Sequence, residues 1–246
     1  MLRSGLSLRF QPIVDAATGR VVAAEALLRE DDSVIAPYRL LTDAVQNGQS
    51  EALDRDVLEA ACAQLRTWHA AGVHLPVHVN VTASTAVEVD PIRFARWLRR
   101  LMTSNGAVTI EITETTRIRG FRAMAAFAEA CRDAGIEVAI DDFGCGYATL
   151  ALLQRFRADV VKIDRRFVHA IVADVWTQSI VRHMIALAHD LGIRVIGEGV
   201  ESAEQAACLR GVGCDELQGY AIARPMTSGD FVRWVLQRGG EANAAC

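Results

Sequence analysis

Short apolar runs separated by amphipathic stretches constrain this chain more than any other feature. Runs occur near Val77–Val81, Val108–Ile112, Ile136–Ile140, Val160–Ile163, Ile193–Ile196 and Asp215–Leu217. Between them, Pro91–Met102, Phe121–Ala134, Thr177–Leu191 and Ala203–Arg210 read as helices. Gly135 and Gly192 stand directly ahead of two runs, where helix C-caps are expected. Upstream, Leu6–Val14 and Val21–Leu28 flank a turn at residues 15–19 and predict a hairpin. In Glu51–Ala71, Leu53, Val57, Ala61, Leu65 and Trp68 recur at helical spacing. Strand–helix alternation implies a parallel sheet, and about eight strands in a chain of this length predict an α/β fold closed as a TIM-like (β/α)8 barrel. The hairpin makes the first strand of that barrel antiparallel. No low-complexity linker or charge block divides residues 1–246, which read as a single domain.

Against this apolar background, a polar residue falls within or just after each strand from the second onward. These are Glu25, Asn80, Glu111, Asp141, Lys162, Glu198 and Gln218, in strands two to eight. Interior strand positions of a closed barrel normally take Val, Ile or Leu. A single exception is a capped strand end; a series in register converges on the C-terminal face, where this fold carries its chemistry.

At the fifth strand the polar residue is doubled, in Asp141-Asp142-Phe143-Gly144. Adjacent carboxylates repel each other and resist desolvation, a conflict that hard cations remove. On extended backbone the two side chains point to opposite sides, so one aspartate could bridge two metals while the other serves one. For an isolated Asp-Asp, a helix cap or Asx turn ahead of Ala148–Arg155 is the plainer reading. The carboxylates on the other strands outweigh it. Carboxylates and an amide oxygen are hard donors suited to Mg²⁺ or Mn²⁺, and no histidine or cysteine joins them to favour zinc. Two ions about 3.5–4 Å apart would polarise a bridging water and stabilise both oxygens of an in-line phosphoryl displacement. Lys162 could orient that water or compensate anionic charge. The residues alone point to a two-metal hydrolase of an anionic substrate, with a phosphodiester the leading candidate.

Composition narrows the partners. A formal charge of −4 gives no global basis for binding nucleic acid polymers or acidic membranes. Met1–Phe10 has no secretory apolar region, and no run approaches the roughly 18 residues a membrane span needs, so a cytoplasmic protein without a membrane segment is expected. The cysteines at 62, 131, 145, 208, 214 and 246 include no C-x-x-C and read as reduced, mostly packed thiols. Cys145 lies in the expected active loop. His74 and His78 bracket Pro76 at a strand start, without the helical geometry that would pair them on zinc, and read as core or surface histidines.

The order of motifs is similar to a known family. Gln11-Pro-Ile-Val, Glu25-Ala-Leu-Leu-Arg29, Asn80-Val-Thr, Glu111-Ile-Thr-Glu114 and Asp141-Asp-Phe-Gly-Cys-Gly-Tyr147 are followed by Lys162-Ile-Asp164, Glu198-Gly-Val-Glu201 and Gln218-Gly-Tyr-Ala-Ile-Ala-Arg-Pro225. Over nearly its whole length the chain resembles the EAL domain, the bacterial cyclic di-GMP phosphodiesterase module. The resemblance implies that Glu25, Asn80, Glu111 and Asp141 hold one Mg²⁺ or Mn²⁺, with Asp141 bridging to a second held also by Asp142 and Glu198. It gives Lys162 the attacking water, to orient or help deprotonate, with Asp164, Glu201 and Gln218 as its supporting shell. Arg29 and Gln11 become substrate contacts, and Glu114 the anchor of the Phe143–Leu150 loop. The implied reaction is hydrolysis of cyclic di-GMP to linear pGpG. A homodimer and fused or separate regulatory domains are compatible with it.

Several positions depart from the family pattern. Cys145 and Ala148 remove loop hydroxyls, which bears on loop rigidity and dimer coupling more than on metals. Glu30, beside Asp31 and Asp32, replaces a common aromatic, and Pro37–Gly48 lacks the family's paired glutamates. A catalytically silent cyclic di-GMP receptor is the rival from another class, but such members lose the EAL glutamate, an Asp of the pair or the lysine, all present here. An enolase-like barrel explains neither the Asp pair nor Asn80 and Gln218. A kinase reading of Asp142-Phe-Gly144 lacks the accompanying His-Arg-Asp and glycine-rich loops.

Overall fold

A computed structural model describes residues 5–30, 38–102, 107–113, 120–145 and 156–244, with Leu2, Leu153 and Gln154. Eight strands close a barrel in sequence order: β1 (Leu6–Asp15), β2 (Val21–Glu30), β3 (Val77–Asn80), β4 (Val108–Thr113), β5 (Glu137–Phe143), β6 (Val160–Ile163), β7 (Arg194–Gly197) and β8 (Glu216–Leu217). The chain is a TIM-like (β/α)8 barrel whose first strand is antiparallel to both neighbours, β2 and β8, while the other pairs are parallel. Among the described residues the helices are α1 (Tyr38–Gln46), α2 (Ser50–Ala70), α3 (Ala83–Glu88), α4 (Pro91–Leu101), α5 (Phe121–Asp133), α6 (Arg165–Ala170), α7 (Val175–Asp190), α8 (Ala203–Gly211) and α9 (Ser228–Ala244). None is long and apolar enough to cross a membrane. Gly135 and Gly192 take φ of +73° and +72° after α5 and α7, as helix C-caps require.

Strand periodicity sorts side chains to the two faces of the wall. Val77 and Val79 of β3, Ile110 and Ile112 of β4, and Val161 and Ile163 of β6 join the large core beneath the helices. Ile13, Ala23, Ala139, Val160 and Ile196 form a separate cluster inside the barrel. Each lies two residues from a polar residue singled out above: Gln11, Glu25, Asp141, Lys162 and Glu198. The interior is therefore layered, with polar groups at the C-terminal mouth over an aliphatic layer. A polar floor lies below it, where Arg194 donates to Glu137 Oε2 at 2.6 Å and Glu216 Oε1 at 2.8 Å.

The antiparallel strand needs its own fastening. Phe10 and Met226 exchange backbone hydrogen bonds at 2.8 and 3.0 Å, tying β1 to the segment before α9. Fully buried Trp68 of α2 stacks on Phe231 at 4.5 Å and meets Phe10 edge-on at 4.8 Å. Its indole N–H donates to Ser228 Oγ at 2.9 Å. Trp68→Ala should therefore lower unfolding stability by about 3–5 kcal/mol in urea titrations, through lost burial and a residual cavity. A loss below about 1 kcal/mol would contradict this closure.

Candidate functional site

At the C-terminal mouth, the lysine of β6 stands at the centre of the carboxylates. Lys162 Nζ lies 2.6 Å from Glu198 Oε1, 2.9 Å from Glu111 Oε2, 3.5 Å from Glu25 Oε2 and 3.6 Å from Asp141 Oδ1. Lys162 and Glu111 are both fully buried. Burial pulls the ammonium down, but Asp141, Glu111, Glu198 and Glu25 outweigh it and hold Lys162 well above the usual lysine range. Burial drives Glu111 and Glu198 well above the ordinary carboxylate range despite Lys162. Glu25 goes the other way: Lys162, Gln218 and Asn80 overcome its desolvation. One ammonium thus faces more carboxylate charge than it can compensate.

Amides complete the ring. Asn80 Nδ2 donates to Glu25 Oε1 at 2.9 Å, leaving the amide oxygen as the ligand atom on offer. Gln218 Nε2 donates to Glu25 Oε2 at 2.6 Å and to Gln11 Oε1 at 3.3 Å, while Gln11 Nε2 donates to Ala223 O at 3.0 Å. Gln218 Oε1 is buried with no hydrogen-bond partner among the described residues. That orphaned acceptor fits a place where a water or substrate donor belongs.

The Asp pair behaves differently from an extended strand end. Pairing between β5 and β6 shifts register between Ile140 and Phe143, and Asp142 takes φ +56°, the one non-glycine residue with positive φ among the described residues. The expectation of extended backbone across the pair is corrected: a bulge replaces the simple alternation. As a result Asp141, Asp142 and Glu198 each offer a ligand atom within 4.8 Å of the others, a group that can hold a metal ion. Burial, with the charges of Asp141 and Asp164, raises the Asp142 carboxyl to about 6. Asp164 also caps α6, accepting from Arg166 N at 2.8 Å and Arg166 Nε at 3.0 Å.

A cleft of about 530 Å³ opens over these groups, bordered by Gln11, Glu25, Asp142, Glu198, Gln218 and Tyr220, with Arg165 and Arg166 at its side. Glu201 lines the same cleft but is exposed, 3.5 Å from His169 Nε2. The capping box of Ser202 and Gln205 pins its backbone, with Glu201 N donating to Gln205 Oε1 at 2.7 Å. Arg29 stands apart. It donates to Leu28 O at 2.8 Å and lines a smaller cavity of about 260 Å³ with Leu27, Asn80 and Asp54. Glu114 and residues 146–150 of the Phe143–Leu150 loop, including Ala148, lie outside the described residues. Cys145 is not disulfide-bonded, and burial pushes its thiol up to about 11, consistent with a packed thiol. His78, which reads as a core or surface histidine in the sequence, has its Nδ1 2.8 Å from Glu111 Oε1. Its place two residues before Asn80 on one strand face was the available signal.

The residues match the EAL domain family over 1–225, and the chain belongs to that family. The cyclic di-GMP phosphodiesterase NbdA of Pseudomonas aeruginosa is 37% identical over 228 residues, 90% of this chain and 29% of NbdA. This chain thus spans under a third of that relative's length. Among solved structures, the PaMucR phosphodiesterase–c-di-GMP complex has a TM-score of 0.82 at 32% identity, covering 92% of this chain and 94% of that one. The manganese/cyclic di-GMP complex of Klebsiella pneumoniae BlrP1 has a TM-score of 0.81 at 29% identity, covering 93% of this chain and 58% of that one.

The bulge yields a test. Asparagine tolerates left-handed backbone, and Asp142→Asn relieves repulsion from Asp141 and Asp164. It should retain or raise metal-free stability while weakening Mn²⁺ binding at least about tenfold. Asp142→Val should fall about 1–3 kcal/mol below the Asn variant in urea unfolding, because a β-branched residue is strained at that φ. Equal stability of the two variants would contradict the bulge.

Proposed function

We propose that this chain is a metal-dependent phosphodiesterase that hydrolyses cyclic di-GMP to linear pGpG. The observation that carries this reading is the cluster of buried Glu25 and Glu111 with partly buried Asp141 and Glu198 around one lysine, adjoining the Asp141–Asp142–Glu198 group. Such excess of hard anionic donors suits two Mg²⁺ or Mn²⁺ ions, one held by Glu25, Asn80, Glu111 and Asp141, the other by Asp141, Asp142 and Glu198. When bound, the ions supply Lewis-acid activation of the attacking water and charge stabilisation of the in-line displacement. The family membership and the relatives named as cyclic di-GMP phosphodiesterases support the choice of substrate. We take residues 1–246 as one EAL-type unit.

Within that reading the chain's own groups divide the work. Lys162 orients the attacking water by N–H donation. Gln218, through its orphaned Oε1, accepts from a water in the cleft, and Asp164 and Glu201 order the water shell beside it. Gln11 and Arg29 bind substrate, Arg29 from the rim, and Glu114 anchors the Asp-pair loop. Water oxygen forms the new bond to phosphorus and the bond to the ribose 3′ oxygen breaks. Water gives up a proton, the 3′ oxygen takes one, and the phosphate remains on the 5′ end of pGpG.

Chromatographic detection of pGpG from cyclic di-GMP tests the reading. Product should form with Mg²⁺ or Mn²⁺ and cease in excess chelator; undiminished hydrolysis with chelator would overturn the metal mechanism. Glu25→Ala should abolish turnover. Lys162→Ala should lower kcat by about 10²–10⁴-fold with a much smaller change in substrate binding. A pure KM effect would reassign Lys162 to ground-state phosphate binding.

A further inference from the structure

The largely aliphatic layer beneath the carboxylates has three polar members. Counting two residues inward from each mouth residue gives Ile13, Ala23, Ala139, Val160 and Ile196 on β1, β2, β5, β6 and β7. The same count on β3, β4 and β8 gives His78, Thr109 and Glu216, all buried. Two of these are tied to the polar floor. Thr109 Oγ1 donates to Glu137 Oε2 at 3.2 Å, and Glu216 Oε1 accepts from Arg194 at 2.8 Å. His78 is tied upward instead. The residue is 1% exposed, and Nδ1 meets Glu111 Oε1 at 2.8 Å.

A buried imidazole interrupts apolar packing and needs its polar atoms satisfied. Glu111 is pinned from two sides as a consequence, with Lys162 on Oε2 at 2.9 Å and His78 on Oε1. Once Glu111 is ionised, as a metal ligand is, it can only accept, so the contact then requires a proton on Nδ1, whatever the charge of the ring. A carboxylate otherwise retains freedom to rotate about its terminal torsion and to choose which oxygen it presents. The imidazole removes that freedom.

We propose that His78 is a positioning residue: its Nδ1–H holds Glu111 Oε1 and so presents Oε2 to a divalent ion. This role rests on the proposed metal site. His78 touches neither substrate nor reacting atoms; it acts through Glu111. On this view Oε2, which now accepts from Lys162, would be the oxygen that serves the ion, while His78 would keep its hold on Oε1. Hydrogen-bond partners of metal-ligating groups commonly govern metal affinity by about 10–100-fold.

Leucine and asparagine provide a matched pair for the test, being close in size and shape and differing in donor capacity. Asparagine Nδ2 also falls near the place of histidine Nδ1. Mn²⁺ binding to the whole chain is measured by calorimetry, without substrate. His78→Leu should bind Mn²⁺ about 10–100-fold more weakly than wild type, and His78→Asn within about threefold of it. Equal Mn²⁺ affinity of the Leu and Asn variants, with both folded by thermal melting, would overturn the role. Absence of Mn²⁺ binding by wild type would instead overturn the metal site itself, and this role with it. Should the Leu variant fail to fold, nitrogen NMR of the wild-type ring decides: with saturating Mg²⁺, Nδ1 should be protonated. A bare Nδ1 facing Glu111 in the Mg²⁺-loaded protein would refute the proposal.

Discussion

The barrel mouth is organised by a charge imbalance. Carboxylates withdrawn from water cannot be left unpaired, and one ammonium placed among two buried and two partly buried ones satisfies only part of their demand. At an effective dielectric of about 20, a pair of like charges 4 Å apart repels by roughly 4 kcal/mol, so the remaining negative charge is a large local term. Burial first, and neighbouring carboxylates after it, displace Glu111, Glu198 and Asp142 upward despite Lys162. Divalent ions answer the remaining negative charge directly. Lys162, in this arrangement, occupies the centre of the cluster that the proposed ions would share.

The fold exists to tolerate that imbalance. Strand periodicity separates the polar mouth from the helix-facing core, so the large apolar clusters around Trp68, Phe94 and Phe127 stabilise the wall independently of the site. The aliphatic residues Ile13, Ala23, Ala139, Val160 and Ile196 lie between the mouth and the Arg194–Glu137 ion pair. Antiparallel β1 has its own part in this. Reversing its direction puts Gln11 beside Glu25 in register, so that one amide reaches both the Glu25–Gln218 network and the C-terminal segment at Ala223. Strand ends, helix caps and site residues are thereby the same groups, as Asp164 illustrates by capping α6 while facing Asp142.

Much of this was legible in the sequence because it is local or periodic. The apolar runs became strands with ends displaced by a few residues, and the hairpin and the long α2 were written in alternation and in helical spacing. The series Glu25, Asn80, Glu111, Asp141, Lys162, Glu198 and Gln218 was visible as polar residues where a barrel wants aliphatics. Other features depend on distant partners. The left-handed Asp142 follows from a register shift against β6, which no property of an Asp-Asp pair predicts. His78 read as a core or surface histidine because Glu111, its partner, lies 33 residues away on the neighbouring strand. Short α3 and α6 are single-turn elements set by Thr82 and Asp164 caps, too brief for a periodic signal. The surroundings of Lys162 were likewise hidden, because its four carboxylate neighbours come from distant parts of the sequence.

The central claim is that this carboxylate cluster is a divalent-metal site and not a self-contained ion-pair network. Anomalous X-ray scattering from crystals grown with Mn²⁺ tests it most directly. The account predicts two anomalous peaks about 3.5–4 Å apart, bridged by Asp141, with Lys162 Nζ withdrawn from Glu111. A cluster devoid of anomalous signal at saturating Mn²⁺, with Lys162 still seated between Glu111 and Glu198, would contradict it.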